Sequence, residues 1–399
     1  MAEMSLRVAA VGGDSDAQFS LGMQSVKTDD DTQSAVHWFT KAAEQGHVLA
    51  QFNLGLMYSA GQGVNRDYER AVYWYAKASE QGYARAQFNL GLIFNSAAYG
   101  QQNILKALDC YKKAALQGHS GAQNNIGLIY ITGQGIPRDY QRAIVWFEKA
   151  AAANDAAAQN NLGMIYSNGK DLAPDYPRAI SWFGKAAEQG YAGAHYNLGL
   201  LFDKGSGVAS DHKQAIFWYQ KAASQGHLKA QYSVALLCEA GDEAVRHPQK
   251  AVLWYRKAAE QNHVEACYRL GLCYDQGFGI ESDGRSAFEW YRKAAAGGHA
   301  EAQFRLALRY DNGQDTEQNY TEALVWYQRA ADQNVVRAQF NIGLIYGFGH
   351  GAEVDLLQAH HWLRLAAAGG IEKAGRYQFV VESKMDPEQL AQIQGATQR

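Results

Sequence analysis

Apolar and small residues recur along this chain with two nested periods. Within short windows they fall three and four apart: Ala71, Trp74, Tyr75 and Ala78 keep the 0, 3, 4, 7 spacing that lays side chains on one face of an amphipathic helix. Ala50, Leu54 and Tyr58 form a similar stripe just upstream. The whole pattern then returns: Ala50, Ala86, Ala122, Ala158, Ala194, Ala230, Ala266, Ala302, Ala338 and Ala374 are each 36 residues apart, and Ala17 precedes Ala50 by 33. The spacing predicts ten units over residues 16–373, each made of a helix A and a helix B, between an N-terminal cap segment (1–15) and C-terminal capping helices (374–399). A unit this small buries its apolar face only by stacking on its neighbours, so the period predicts one continuous solenoid and overrides the two or three domains that length alone suggests.

Polar punctuation supports the same division. Four residues before the helix B alanine stand Asp31, Asp67, Asn103, Asp139, Asp175, Asp211, His247, Asp283, Asn319 and Asp355. All but His247 are good N-caps, because their side chains accept from the orphan N–H groups of a first helical turn. Just beyond helix B come Gly46, Gly82, Gly118, Asn154, Gly190, Gly226, Asn262, Gly298, Asn334 and Gly370, the two residue types that best adopt a left-handed C′ conformation. At the far end Asp386, Pro387 and Gln389 mark a final helix, with cap, N1 proline and capping-box partner in order.

All nine tryptophans occupy one position of helix B; only the third unit departs, with Cys110. An aromatic or Leu363 follows in every unit, so the rings are expected to fill the space between consecutive helix pairs, each worth a few kcal/mol, roughly.

Together the pattern A-Q-[FY]-x-L-G-x-x-Y, G-x-G-[VI]-x-x-D and A-x-x-W-[YF]-x-K-A-A-x-Q-G, nearly whole in Ala50–Gly82 and Ala194–Gly226, resembles the Sel1-like repeat, a relative of the tetratricopeptide repeat. It departs in the first unit, in the third, with Ala97 and Tyr99 in place of the turn glycines, and in the seventh, around Glu239–Glu243 and His247–Pro248. The resemblance implies an all-α fold, a right-handed α-α superhelix of about ten 36-residue helix-turn-helix repeats. It also implies binding without chemistry: a non-enzymatic scaffold or adaptor that holds a protein in a concave groove, with an immunity protein or inhibitor of a secreted bacterial effector, such as a lipase or other toxin, as the alternative. Similarity to tetratricopeptide repeats places helix A on the groove, through the residue before its alanine and those two, six, nine and ten after it.

On that stripe the ninth position after the alanine becomes acidic in four consecutive units, Asp203, Glu239, Asp275 and Asp311, flanked by Tyr196, Tyr232, Tyr268 and Phe304. Units four and five carry Asn124 and Asn160 where those rings stand. With helices about 10 Å apart, the expectation is a carboxylate ladder gripping a basic segment or a folded effector, with rings as anchors. Arg269, Arg305 and Arg309 lie on the same helices and would neutralise part of it.

Charge and composition narrow the partners. With 37 Lys and Arg against 40 Asp and Glu, net charge is −3, which disfavours a phosphate backbone. No apolar run reaches membrane-spanning length, so no membrane insertion is expected. The N-terminus lacks a signal-peptide apolar core; taken literally this makes the protein cytoplasmic, or periplasmic or exported if that end has been trimmed. The G-x-G pairs, such as Gly61/Gly63, follow no strand and serve as turns, not phosphate cradles. His47, His119, His227, His263 and His299 share one repeat position, too far apart to share a metal. Cys110, Cys238, Cys267 and Cys273 have no CxxC spacing and are expected as buried thiols, with a Cys238–Cys273 bridge left open. No catalytic grouping, metal site or cofactor is expected.

Overall fold

The computed structural model describes residues 2–27, 32–96, 100, 102–168, 173–243 and 245–397, and among them every regular element is a helix. Helix A is Ser15–Lys27 in the first repeat, Val48–Ala60 in the second, and so on to Val336–Phe348 in the tenth; helix B runs from Thr32–Glu44 to Leu356–Ala368. Ala2–Val11 precedes the first pair, while Glu372–Glu382 and Pro387–Thr397 follow the last. The chain divides into two compact units, Met1–Asn197 and Leu198–Arg399. Within each, a helix A packs on its own helix B and on the helix B before it, the stacking of an all-α solenoid.

The helix ends form where the polar pattern predicts. Asp67, Asn103, Asp139, Asp175, Asp211, Asp283, Asn319 and Asp355 each cap helix B by accepting a first-turn amide, whereas His247 caps with backbone alone. All ten C′ residues, Asn154, Asn262 and Asn334 included, have positive φ. Asp31, Ala97 and Tyr99 lie outside the described residues. In the seventh repeat Gly241 is extended, with φ −67° and ψ 176°, where the G-x-G repeats turn left-handed. Asp386 and Gln389 exchange two hydrogen bonds, 2.8 and 3.2 Å, completing the capping box of the last helix.

The core has two components. Opening alanines such as Ala50, Ala122 and Ala302, and helix B alanines such as Ala71 and Ala251, are wholly buried and let backbones approach. The residue after each tryptophan fills the remaining space: Phe39, Tyr75, Tyr111, Phe147, Phe183, Tyr219, Tyr255, Tyr291, Tyr327 and Leu363 are 0–1% exposed. The tryptophans themselves are half-buried, lying on the shoulder of the seam with a cation over several of them, as Lys185 lies 4.1 Å from the Trp182 ring centre. In most repeats helix A presents a glycine to the buried ring: a Cβ on Gly55 would come within 2.7 Å of Tyr75, and one on Gly163 within 2.5 Å of Phe183, while the seventh and ninth repeats have Ala235 and Ala307 at this position.

A polar seam runs beside this core. The glutamine after the opening alanine is buried, and its amide donates to the carbonyl eight residues earlier, as Gln51 does to Ala43 at 3.1 Å. Its oxygen accepts from the glutamine at the end of the next helix B: Gln81 to Gln51, Gln189 to Gln159, Gln261 to Gln231 and Gln333 to Gln303, all at 2.8 Å. In the fourth repeat the donor is replaced by Ala153, and Gln123 Oε1 is left buried with no partner.

The histidines just past helix B are N-caps of the next helix A. Nδ1 of His47, His119, His227, His263 and His299 accepts the amide of the opening alanine at 3.1–3.2 Å. That bond requires a neutral ring, and burial pulls His119, His227 and His263 below their ordinary pKa.

Two outcomes follow from these bonds. Ala153 has the same backbone conformation as Gln81, so Ala153→Gln should reach Gln123 Oε1 and stabilise the protein by about 1 kcal/mol, seen as a higher urea midpoint. Because the folded histidines have lowered pKa values, the unfolded chain binds more protons below about pH 6.5, so their contribution is complete above that pH and is lost as pH falls beneath it. Melting temperature should therefore drop between about pH 6.5 and pH 5, and replacing all three by Asp, the cap used at Asp155, should flatten that slope.

Candidate partner-binding face

The four acidic positions do stand on helix A, half-exposed, but each already has a partner inside its own repeat. Tyr219 donates to Asp203 at 3.0 Å, Tyr255 to Glu239, Tyr291 to Asp275 at 3.0 Å and Tyr327 to Asp311 at 2.9 Å, always sixteen residues on. These are the hydroxyls of the fully buried seam rings. Burial, then the neighbouring carboxylate, raises Tyr255, Tyr291 and Tyr327 far above an ordinary phenol, which keeps them protonated donors. Elsewhere Ser59 faces Tyr75 at 3.4 Å, and the repeats built on Phe39, Phe147 and Leu363, which have no hydroxyl, carry Val26, Ile131 and Gly347 at the ninth position; the repeat built on Phe183 is the exception, with Ser167, which donates to its own helix at Met164.

Arginine neutralises the middle of the ladder. Arg269 lies 3.6 Å from Glu239 and 3.2 Å from Glu265. Arg309, whose side chain is 5% exposed, binds Asp275 at 2.6 Å and Asp315 at 3.4 Å, and Arg305 adds a contact of 3.7 Å to Asp275. The one ion-pair partner of Asp203 among the described residues is His212, at 4.0 Å. Among the described residues no cationic group lies within ion-pair distance of Asp311.

The expected ring anchors are also engaged. Tyr232 stacks on His263 with centres 4.6 Å apart, and Tyr268 on His299 at 4.2 Å. Phe304 is not a surface anchor: it is 4% exposed, packed against Tyr327 and covered by Arg337 at 4.5 Å. Tyr196 is half-buried on Ala192–Lys204. In the first unit the asparagines replace rings with amide bonds: Asn161 donates to Asn124 at 2.9 Å and Asn197 to Asn160 at 2.8 Å.

What remains available is a pocket of about 370 Å³ at the end of the second unit. Asp311 supplies its charge; Asn341, Leu344 and Phe348 come from the tenth helix A, and Tyr377 from Glu372–Glu382. Phe348 and Tyr377 meet edge to face at 6.0 Å, and Lys384 lies 4.8 Å above Phe348 at the margin. Leu344 and Phe348 are the sixth and tenth residues after Ala338, so the same stripe contained them; the signal was hidden because the ninth position there is Gly347.

Other chemistry is structural in kind. The four cysteines are buried and free, so Cys238 and Cys273 are not bridged; burial pushes the Cys273 thiol up to about 12. Among the described residues no group of three or more His, Cys, Asp or Glu is placed to hold a metal, and no helix is long and apolar enough to cross a membrane.

Ten consecutive segments, 15–47, 48–83, 84–119, 120–155, 156–191, 192–227, 228–263, 264–299, 300–335 and 336–371, match the Sel1 repeat model. Among solved structures, a protective antigen present in uropathogenic Escherichia coli strains, displaying an SLR fold, is 31% identical over 98% of this chain and 92% of its own, with a TM-score of 0.60. A Sel1 repeat protein from Oxalobacter formigenes is 31% identical over 61% of this chain and 99% of its own, with a TM-score of 0.53. No curated protein matches the chain.

The buried arginine separates structural from surface pairs. Arg309→Ala removes the buried cation shared by Asp275 and Asp315, leaving Asp275 with Tyr291 and Arg305, and should cost about 2–3 kcal/mol, whereas Arg337→Ala, removing an exposed partner of Glu301, should cost less than about 1 kcal/mol, both read from chemical denaturation.

Proposed function

We infer the function from one premise: the chain belongs to the Sel1 repeat family, a fold of interaction scaffolds. On that premise the protein is a non-enzymatic scaffold or adaptor, and its second unit takes hold of a partner protein through a basic side chain. The Asp311 pocket is the observation that carries this reading. Its carboxylate retains a hydrogen-bond donor in Tyr327 but has no cation paired with it, unlike Glu239 and Asp275. A lysine or arginine stem fits along Leu344 and Ile345, and its charge meets Asp311 and the ring of Tyr377, since Lys384 already lies over Phe348. The remaining carboxylates, already bonded, act as a weak acidic field that favours basic segments on approach.

A library of short basic, neutral and acidic peptides tests this directly. Basic members should bind best, more weakly at high salt, and Asp311→Asn should weaken them about tenfold while leaving the melting temperature nearly unchanged. Binding unchanged in Asp311→Asn, or a preference for acidic peptides, would sink the proposal. A dedicated inhibitor of one folded effector would instead ignore short peptides and bind a single native protein tightly.

A further inference from the structure

The third repeat breaks the tryptophan register and leaves a space behind. Nine helix B segments carry Trp at this position, and the third carries Cys110. Elsewhere the indole packs on the buried cluster to which the residue four after the opening alanine belongs: Trp38 on that holding Leu21, Trp182 on that holding Leu162, and Trp362 on that holding Ile342. In the third repeat the equivalent residue is Leu90, and it lines a cavity of about 520 Å³ with Ala76, Phe94 and Cys110. Ala76, two residues after Trp74, comes from the preceding helix B, so the cavity occupies the seam where the missing ring would lie.

A second feature of the register survives the loss. Three residues after the tryptophan, Lys149, Lys185, Lys257 and Lys293 lie 4.1–4.3 Å from their indole centres. Lys113 is the equivalent lysine. Lacking a ring, it turns to Asp109 at 2.8 Å, both of them lining the cavity. Burial raises the Cys110 thiol to about 11, so this sulfur is an apolar wall and no nucleophile at neutral pH.

We propose that this vacancy is a socket for the tryptophan side chain of a partner protein, which completes the seam as the chain's own tryptophans do in the other nine repeats. The socket suits a ring carried on a backbone, because its counterparts are filled that way. Entry buries the indole against Leu90, Phe94 and Ala76 and gives Lys113 the ring face that its equivalents already cover. The site lies in the first unit, is independent of the Asp311 pocket, and selects an aromatic where that pocket selects a cation.

N-acetyl-tryptophanamide is the probe, titrated into the full chain and followed by NMR chemical shifts or calorimetry. Saturable binding at millimolar concentration is expected, with Cys110→Ala binding as well as the parent or better and Cys110→Trp not binding at all. Cys110→Trp should also melt at a higher temperature, since it fills the cavity covalently. Lys113→Ala, an exposed change that leaves the fold alone, should weaken the probe about two- to fivefold, and serves if the tryptophan variant fails to fold. No saturable binding, undiminished binding in a folded Cys110→Trp protein, or binding of free indole without binding of N-acetyl-tryptophanamide would each overturn the proposal.

Discussion

The contact on which the rest depends is a buried ring packed on a very small residue of helix A. Where Gly55 meets Tyr75 or Gly163 meets Phe183 there is no room for a Cβ, and where the position is Ala235 or Ala307 a single methyl is all that is buried there, so the helices lie close together throughout. From that spacing the other choices follow. Alanines are required where the helices cross, and the ring must be wholly buried, so any hydroxyl it carries needs a partner within reach. Sixteen residues upstream, at the ninth position of helix A, a side chain ends within hydrogen-bond distance of that hydroxyl, and Asp203, Glu239, Asp275 and Asp311 answer it. Carboxylates placed for a structural reason then bring arginines with them, Arg269 beside Glu239 and Arg309 beside Asp275.

The polar groups inside each repeat obey the same accounting. Buried glutamines satisfy one carbonyl and accept one amide, histidines close the first turn of helix A, and glycine or asparagine turns the chain out of helix B. The accounting is left open at the two places where binding is proposed: among the described residues Asp311 has a donor and no ion-pair partner, and the third repeat has a lysine and no indole.

Much of this was legible in the sequence, for a local reason. The period, the two helices, the eight helix B caps within the described residues and every C′ residue depend on neighbours within a few positions, and pattern alone carries such information. The fate of Asp275 does not: its partners, Tyr291 and Arg309, lie sixteen and thirty-four residues away, and only the packing of three helices brings them together. Position also misled where depth mattered. Phe304 shares its repeat position with Tyr232 and Tyr268 but is sealed by Arg337, and the tryptophans that appeared to be the filler are half-buried beside the true filler, the next residue. The histidines were visible as a column, yet their role needed the geometry of Nδ1 against an amide.

In the second unit several ion pairs cross repeat boundaries. Arg269 belongs to the repeat after Glu239, Arg309 to the one after Asp275, and Arg337 to the one after Glu301. Neighbours are thus keyed to each other in one order. The amide joints of the first unit, Asn161 to Asn124 and Asn197 to Asn160, cross repeat boundaries too, so fraying of one module costs its neighbour a polar bond as well as apolar contact, and cooperativity is carried from repeat to repeat by both.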